Sequence, residues 1–259
     1  MKADLDLLIG AAREAGALAL ERRTPNLEIE RKADGSPVTA ADLAVDAFLT
    51  DALRSARPDY GWLSEETADD PARLKAERVF VVDPIDGTRA YIRGKPWWVV
   101  ALAVVEAGRA TAAAIFAPEL DELYTATVGG GATLNGAPIK ASTTSRLEGS
   151  AMLADPRLFT LPAWPEPWPA MRVDQRNALA YRMALVAAGT FDAALSLSTK
   201  HEWDIAAGAL ICAEAGAVAV DHRGAELRFN SPAANCPSLV CAAPALAPLI
   251  LERTRPIEI

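Results

Sequence analysis

Histidine and cysteine are scarce in this chain. Two histidines, His201 and His222, and three cysteines, Cys212, Cys236 and Cys241, occur in 259 residues. The histidines are too few and too weakly patterned for a histidine-based zinc site. The cysteines form no CxxC pair and their number is odd, which argues against a disulfide framework and for a reducing compartment. The amino terminus, Met1-Lys2-Ala3-Asp4-Leu5-Asp6, alternates acids with apolar residues and lacks the basic region and apolar run of a signal peptide. No uninterrupted apolar segment is long enough to cross a bilayer, so no membrane span and a cytoplasmic location are expected. Basic residues are outnumbered, 26 against 34 acids, giving a net charge of -8. That excludes the extended basic surface a nucleic-acid polymer or an anionic membrane needs. A small anionic substrate remains open, because bound cations reverse the local field of an acidic site.

What the chain has is apolar content, 51% of its residues, without repeats or low-complexity tracts. This is enough for one large core or two smaller halves. Leu5, Leu8, Ile9, Ala12, Ala15, Ala19 and Leu20 recur at helical spacing, and the helix should end before Thr24-Pro25. Leu27 to Arg31 reads as a short strand and residues 32–37 as a turn-rich segment. Thr39-Ala40-Ala41-Asp42 has the form of a capping box ahead of a second amphipathic helix. Tyr60 to Leu63 and Val79 to Val82 read as buried strands. Trp97 to Val105, Thr111 to Ala117 and Leu123 to Ala126 form an antiparallel meander, and Gly129-Gly130-Gly131 with Asn135-Gly136 supplies hairpin turns, not a phosphate loop. A boundary falls near Ser142 to Gly149, dividing the chain into halves 1–145 and 146–259. In the second half, helices are expected over Ala178–Ala188, Trp203–Ala215 and Ala245–Arg255, and strands over Phe191–Leu197, Val218–Val220 and Glu226–Phe229. The five-proline segment 155–169 reads as a stiff loop that borders the active site or covers an edge. The fold class is layered α+β, without the strict alternation of a Rossmann chain.

Chemistry concentrates at Asp83-Pro84-Ile85-Asp86-Gly87-Thr88, delivered by the Val79 strand. Two carboxylates around a proline-stiffened turn can converge on a hard cation, and Gly87 lets the backbone approach an anion. If Gly87 and Thr88 open a helix, their N–H groups face a phosphate. Further acids fall at strand or helix ends: Glu65, Asp204 and Asp42. Each alone has an ordinary explanation, as loop solvation, a helix amino-terminal acid or a capping-box partner. Together they suit magnesium, whose octahedral shell takes oxygen ligands from several elements. Two such ions would clamp both oxygens of an in-line displacement at phosphorus, with a water oriented by Thr88 and a carboxylate such as Asp42.

Three ordered stretches, Glu65-Glu66, Asp83 to Thr88 and Trp203-Asp204-Ile205-Ala206-Ala207-Gly208, resemble the signatures of the inositol monophosphatase superfamily. Lys32 to Asp42 resembles its amino-terminal segment, so the likeness spans nearly the whole chain. The resemblance implies a five-layer αβαβα sandwich and lithium-sensitive, magnesium-dependent phosphomonoester hydrolysis with two or three ions. It places Glu65, Asp83, the Ile85 carbonyl, Asp86 and Asp204 on metal-ligand positions. Asp42 and Thr88 fall on the water-activating pair, Glu65 supports catalysis, and Glu66 has a supporting role. A homodimer is implied by the family alone. The superfamily acts on several small phosphate esters. Leu63-Ser64-Glu65-Glu66, Asp86-Gly87-Thr88-Arg89-Ala90-Tyr91-Ile92 and Glu202-Trp203-Asp204 lean toward its 3′(2′),5′-bisphosphate nucleotidases. Trp97-Trp98 after Gly94-Lys95-Pro96 is closer to the inositol branch, so inositol-1-phosphate and histidinol phosphate stay as alternatives. Gly87, Thr88, Arg89, Lys200, Glu202 and Asp204 are the expected substrate contacts, with Lys200, Arg89 and Arg93 as candidates for a second phosphate. A non-catalytic phospholigand-binding regulator is the alternative of another class.

Overall fold

A computed structural model describes residues 1–24, 27–32 and 35–259. The expected breaks at Pro25 and at Ala33-Asp34 therefore lie outside the described residues. The first helix, α1 (Lys2–Arg22), is followed by a two-stranded ribbon of β1 (Ile29–Arg31) and β2 (Pro37–Thr39) and then by α2 (Ala40–Ala56). Next come β3 (Gly61–Ser64), β4 (Arg78–Asp86), the one-turn helix α3 (Thr88–Ile92), and strands β5 (Val99–Glu106), β6 (Arg109–Ala117), β7 (Glu122–Thr127), β8 (Gly131–Leu134) and β9 (Ala137–Pro138). These strands form one sheet in the order β3-β4-β5-β6-β7-β8-β9, with β3 parallel to β4 and the rest antiparallel.

The remaining chain runs β10 (Ala151–Leu153), β11 (Arg172–Asp174), α4 (Leu179–Ala187), β12 (Ala193–Ser196), β13 (Lys200–His201), α5 (Ala206–Glu214), β14 (Val218–Val220), β15 (Asn235–Cys236), β16 (Leu239–Ala242) and α6 (Ala247–Thr254). A second sheet has the order β11-β10-β12-β16-β14, and β13 pairs with β15 beside it.

Strand alternation shows how these elements stack. Phe80 and Val82 of β4 pack with Leu8, Ala12, Val45 and Leu49 of α1 and α2. Their neighbours Val79 and Val81 face the opposite side, into a core shared with Met183 and Val186 of α4 and Ile211 of α5. That same core takes Leu153, Ala194 and Cys241 from the second sheet, whose other face, Met152, Leu195 and Val240, packs on Ile250 and Leu251 of α6. The layers are thus α, β, α, β, α. A strand covered on both faces must be apolar at every position, which is why Val79 to Val82 reads as a continuous run.

Three local differences from the sequence expectations matter. β4 does not stop at Val82 but continues to Asp86 with a register shift between Asp83 and Asp86, at a proline that has no N–H for the ladder. Helix α5 begins at Ala206, so Asp204 sits in the turn ahead of it and not in its first turn. Glu226–Phe229 forms only a single bridge, Val220 to Glu226. Asp221 there accepts from the Arg223 and Ala225 N–H groups, and the Phe229 N–H turns to Gly108 O across the molecule.

Candidate active site

Parallel pairing of β3 with β4 puts Ser64 beside Val82, so the two strands release Glu65 and Asp83 at the same sheet end. The Glu65 N–H still donates to Val82 O at 3.3 Å. The irregularity at Pro84 brings Asp86 back toward Asp83, and the turn before α5 adds Asp204, whose Oδ2 accepts from His201 N at 3.1 Å. One carboxylate oxygen from each of Asp83, Asp86 and Asp204 lies within 4.8 Å of the others.

Their surroundings differ. Asp86 receives the Leu179 and Ala180 N–H groups at 3.1 and 2.6 Å, so it also caps α4. Asp83 is fully buried, and neither of its oxygens has a hydrogen-bond partner among the described residues. Burial, then the charges of Glu65 and Asp86, pushes the Asp83 carboxyl well above the usual range. Burial and Asp204 do the same to Asp86, and burial and Glu65 raise Asp204 to about 7. A buried carboxylate without a partner is destabilising unless it takes up a proton or a cation. An all-oxygen donor set of this kind suits a hard divalent cation.

Glu65 stands outside that three-aspartate group, at the cavity rim. Its Oε1 accepts from Lys32 Nζ at 2.8 Å, and the same ammonium donates to Glu66 Oε1 at 2.8 Å. Burial lowers Lys32, but Glu65 and Glu66 outweigh it and leave the ammonium raised to about 12. Burial outweighs the Lys32 bond at Glu66 and raises that carboxyl to about 7.

Asp42 serves two ends. Its Oδ2 accepts from Thr39 N at 2.8 Å and Thr39 Oγ1 at 2.5 Å, completing the capping box of α2. Its Oδ1 lies 3.1 Å from Thr88 Oγ1, which is also 3.1 Å from the Ile85 carbonyl. Gly87 makes this approach possible. It adopts φ +94°, a left-handed conformation, and a Cβ there would meet Ala178 Cβ at 3.0 Å. Thr88 opens α3 as expected; the Ala90 and Tyr91 N–H groups donate to the Gly87 carbonyl at 2.7 and 3.0 Å, while those of Thr88 and Arg89 have no acceptor earlier in the helix.

Part of this constellation lines a cavity of about 810 Å³, with Asp42, Glu66, Asp83 and Lys32 outside its lining. Glu65, Asp86, Gly87, Thr88 and Asp204 line it, and so do Arg89 and Lys200. Arg93 is exposed and does not line it. Glu202 is a correction to the expected substrate contacts. It is fully buried, and its carboxylate is taken by the Asn230 and Ser231 N–H groups at 2.5 and 2.9 Å. The five-proline loop does border the cavity, through Leu158, Leu161 and Ala163. Edge-to-face contacts of Trp168 with Phe159 and Trp164, and Arg253 stacked on Trp168, hold the loop in place.

Two further groups escaped the sequence reading. Lys32 lay in a segment read as a turn. Arg182 lines the cavity from within α4, where it is the only charged residue of Leu179–Ala187. Its Nε donates to Arg176 O at 2.5 Å, and no carboxylate lies within ion-pair distance of it among the described residues. A lone arginine in an otherwise apolar, buried helix was the available signal.

Comparison with known proteins agrees with this geometry. The model of the inositol monophosphatase family matches residues 2–257. A histidinol-phosphatase of Chlorobaculum parvum is 33% identical over 232 residues, covering 86% of this chain and 88% of that protein. The Nus factor SuhB of Escherichia coli K12 is 32% identical over 231 residues, with 85% of each chain covered. The IMPase of Thermotoga maritima superposes with a TM-score of 0.84 at 27% identity, covering 96% of both chains. With the signatures in order, the layers in place and the acids converging, the chain belongs to the inositol monophosphatase family, a family of phosphoric monoester hydrolases.

Proposed function

We propose that this chain is a magnesium-dependent phosphomonoesterase whose substrate carries a second anionic group, of the 3′(2′),5′-bisphosphate nucleotide class. When bound, magnesium supplies electrostatic stabilisation of the phosphoryl oxygens and acidifies a water. Asp83, Asp86 and Asp204 hold it, with Glu65 and the Ile85 carbonyl completing the expected ligand set. Thr88 and Asp42 position the nucleophile. A Thr88 hydroxyl that donates to Asp42 Oδ1 keeps its lone pairs free to accept from a water, which fixes that water's orientation. The Asp42 carboxyl is raised by burial against its bonds from Thr39 and Thr88, which makes it a better proton acceptor than a solvated aspartate.

The observation that carries the substrate reading is Arg182. A guanidinium without a carboxylate partner, lining the same cavity as the acids, is suited to a second phosphate and has nothing to do for a neutral polyol. Lys200 adds positive charge on the same cavity, and Leu158, Leu161, Leu195 and Leu197 give an apolar wall that fits a flat base better than ring hydroxyls. Free buried thiols, with Cys212 and Cys241 Sγ atoms 3.3 Å apart, favour a reducing, cytoplasmic location.

The test is a hydrolysis panel in magnesium, with and without lithium: 3′-phosphoadenosine 5′-phosphate, 3′-AMP, inositol-1-phosphate and histidinol phosphate. One charged hydrogen-bonded contact contributes about 1.5–3 kcal/mol, so the bisphosphate should exceed 3′-AMP in kcat/KM by about 10- to 100-fold. Arg182→Met should erase that preference while 3′-AMP hydrolysis persists. Faster turnover of inositol-1-phosphate or histidinol phosphate overturns the reading. A second reading, a phospholigand-binding regulator, draws on the relatives named Nus factor SuhB. The retained Asp42–Thr88 pair argues against it, and calorimetric binding of the bisphosphate without phosphate release would favour it.

A further inference from the structure

Glu202 stands two residues before Asp204, is fully buried, and touches no part of the cavity. Its Oε2 and Oε1 accept from the consecutive N–H groups of Asn230 and Ser231 at 2.5 and 2.9 Å. Asn230 has φ +58°, so the two N–H groups turn inward as a small anion-binding concavity. The other side of the same loop is gripped by Arg73. Its Nη1 donates to Asn230 Oδ1 at 2.6 Å and its Nη2 to Ser231 O at 2.9 Å, while Nε and Nη2 also engage Asp69 at 2.6 and 2.9 Å. Asp69 and Arg73 belong to the segment that leaves β3 just after Glu65 and Glu66.

A chain of polar contacts, with Glu202 and Arg73 buried, Asn230 and Ser231 half-buried and Asp69 exposed, therefore runs from the turn carrying Asp204 to the segment that follows Glu65. Glu202 also closes the turn that leads into α5: its carbonyl accepts from the Ile205 and Ala206 N–H groups at 3.1 and 2.8 Å. Glu202 and Arg73 are buried and grip the same loop from two sides, so neither side chain can swing toward a substrate without abandoning those bonds.

We propose that Glu202 is a positioning residue for the cation site, acting through the Asn230–Ser231 loop and Arg73 to hold Asp204 in register with Glu65. The inference rests on the reading of these acids as a magnesium site. Outer contacts of this kind typically govern metal affinity or activity by 10- to 100-fold.

The experiment titrates magnesium chloride into the metal-free full chain by calorimetry, for the wild type, Glu202→Gln and Arg73→Lys, alongside thermal melts and hydrolysis kinetics. Glu202→Gln keeps the side chain's size but turns an NH2 group onto one of the two N–H donors. The expected result is a folded variant with magnesium affinity weakened about 10-fold, reduced kcat, and KM at saturating magnesium within about 2-fold of wild type. Arg73→Lys should give the same pattern from the other side, and the double variant should lose less than the sum of the two. Raised KM with unchanged magnesium affinity would restore Glu202 as a substrate contact and overturn the inference. A lowered melting temperature with magnesium affinity and kcat intact would overturn it too, leaving only a structural bond. If Glu202→Gln does not fold, Arg73→Lys carries the same test. If wild type itself takes up no magnesium, the cation reading falls along with this inference; if wild type binds and both variants bind equally well, this inference alone falls.

Discussion

Removing divalent cations should invert the ordinary pH dependence of this protein's stability. Asp83, Asp86 and Asp204 all have folded-state pKa values above the unfolded ones, chiefly through burial and then through one another or Glu65. Between the two values the folded chain holds more protons than the unfolded chain, so stability falls as pH rises. Their contribution is complete below the unfolded value of 3.8 and, for Asp204, is lost as pH passes about 7. At 1.36 kcal/mol per pH unit, that displacement corresponds to on the order of 4 kcal/mol for Asp204. Even half of it, about 2 kcal/mol, lowers Tm by about 4–8 °C in a chain of this size. Lys32, raised to about 12, titrates outside this window and does not offset the drop. On the proposed reading, magnesium should take the place of the protons, bind more tightly as they leave, and restore the loss at high pH. The assay is a set of melting curves from pH 5 to pH 8 in a chelator and in millimolar magnesium. A chelated protein whose Tm is flat or rises over that range refutes the reasoning. So does a magnesium-induced rise no larger at pH 8 than at pH 5.

Asp83→Asn should separate stability from function. The amide removes one buried negative charge from beside Asp86 and Asp204, so the chelated variant should melt several degrees above wild type at pH 8 while hydrolysis falls by about three orders of magnitude or more. Melting curves and single-turnover assays on the same preparations read both. Thr88→Ala removes a hydroxyl held between Asp42 and Ile85 and leaves the capping box of α2 alone. Its kcat should fall about 100-fold or more with magnesium affinity unchanged, and near-normal kcat would remove Thr88 from the water-orienting role.

The reactive groups were legible in the sequence to the extent that each is delivered by its own element. Asp83 follows a strand buried on both faces, which leaves a run of Val79 to Val82 in the sequence, and Asp42 follows Thr39 at capping-box spacing. What could not be read is which partners long-range packing brings to them. The Leu179 and Ala180 N–H groups meet Asp86 across 93 and 94 positions of chain, and no residue identity encodes a backbone donor. Arg73 meets Asn230 across 157 positions, and Lys32 meets Glu65 across 33. The error at Glu202 has the same origin. Beside Asp204, an acid in a signature reads as part of the site, and only the left-handed Asn230 shows that its carboxylate points the other way.

The cavity divides the work along that line. On the proposed reading the acids carry the reaction, and two of them have structural duties besides: Asp86 caps α4, and Asp42 caps α2 as well as bonding Thr88. Groups with two structural duties tolerate little change. Arg182 and Leu161 are less committed: among the described residues the guanidinium donates to the Arg176 carbonyl alone, and Leu161 is an exposed side chain on a loop that Leu158, Trp168 and Arg253 secure. On the proposed reading, substitution at Arg182 should change which ester is preferred and leave the fold intact. Discrimination among phosphate esters should therefore move with Arg182 and the five-proline loop while the acid constellation, and with it the chemistry, stays fixed.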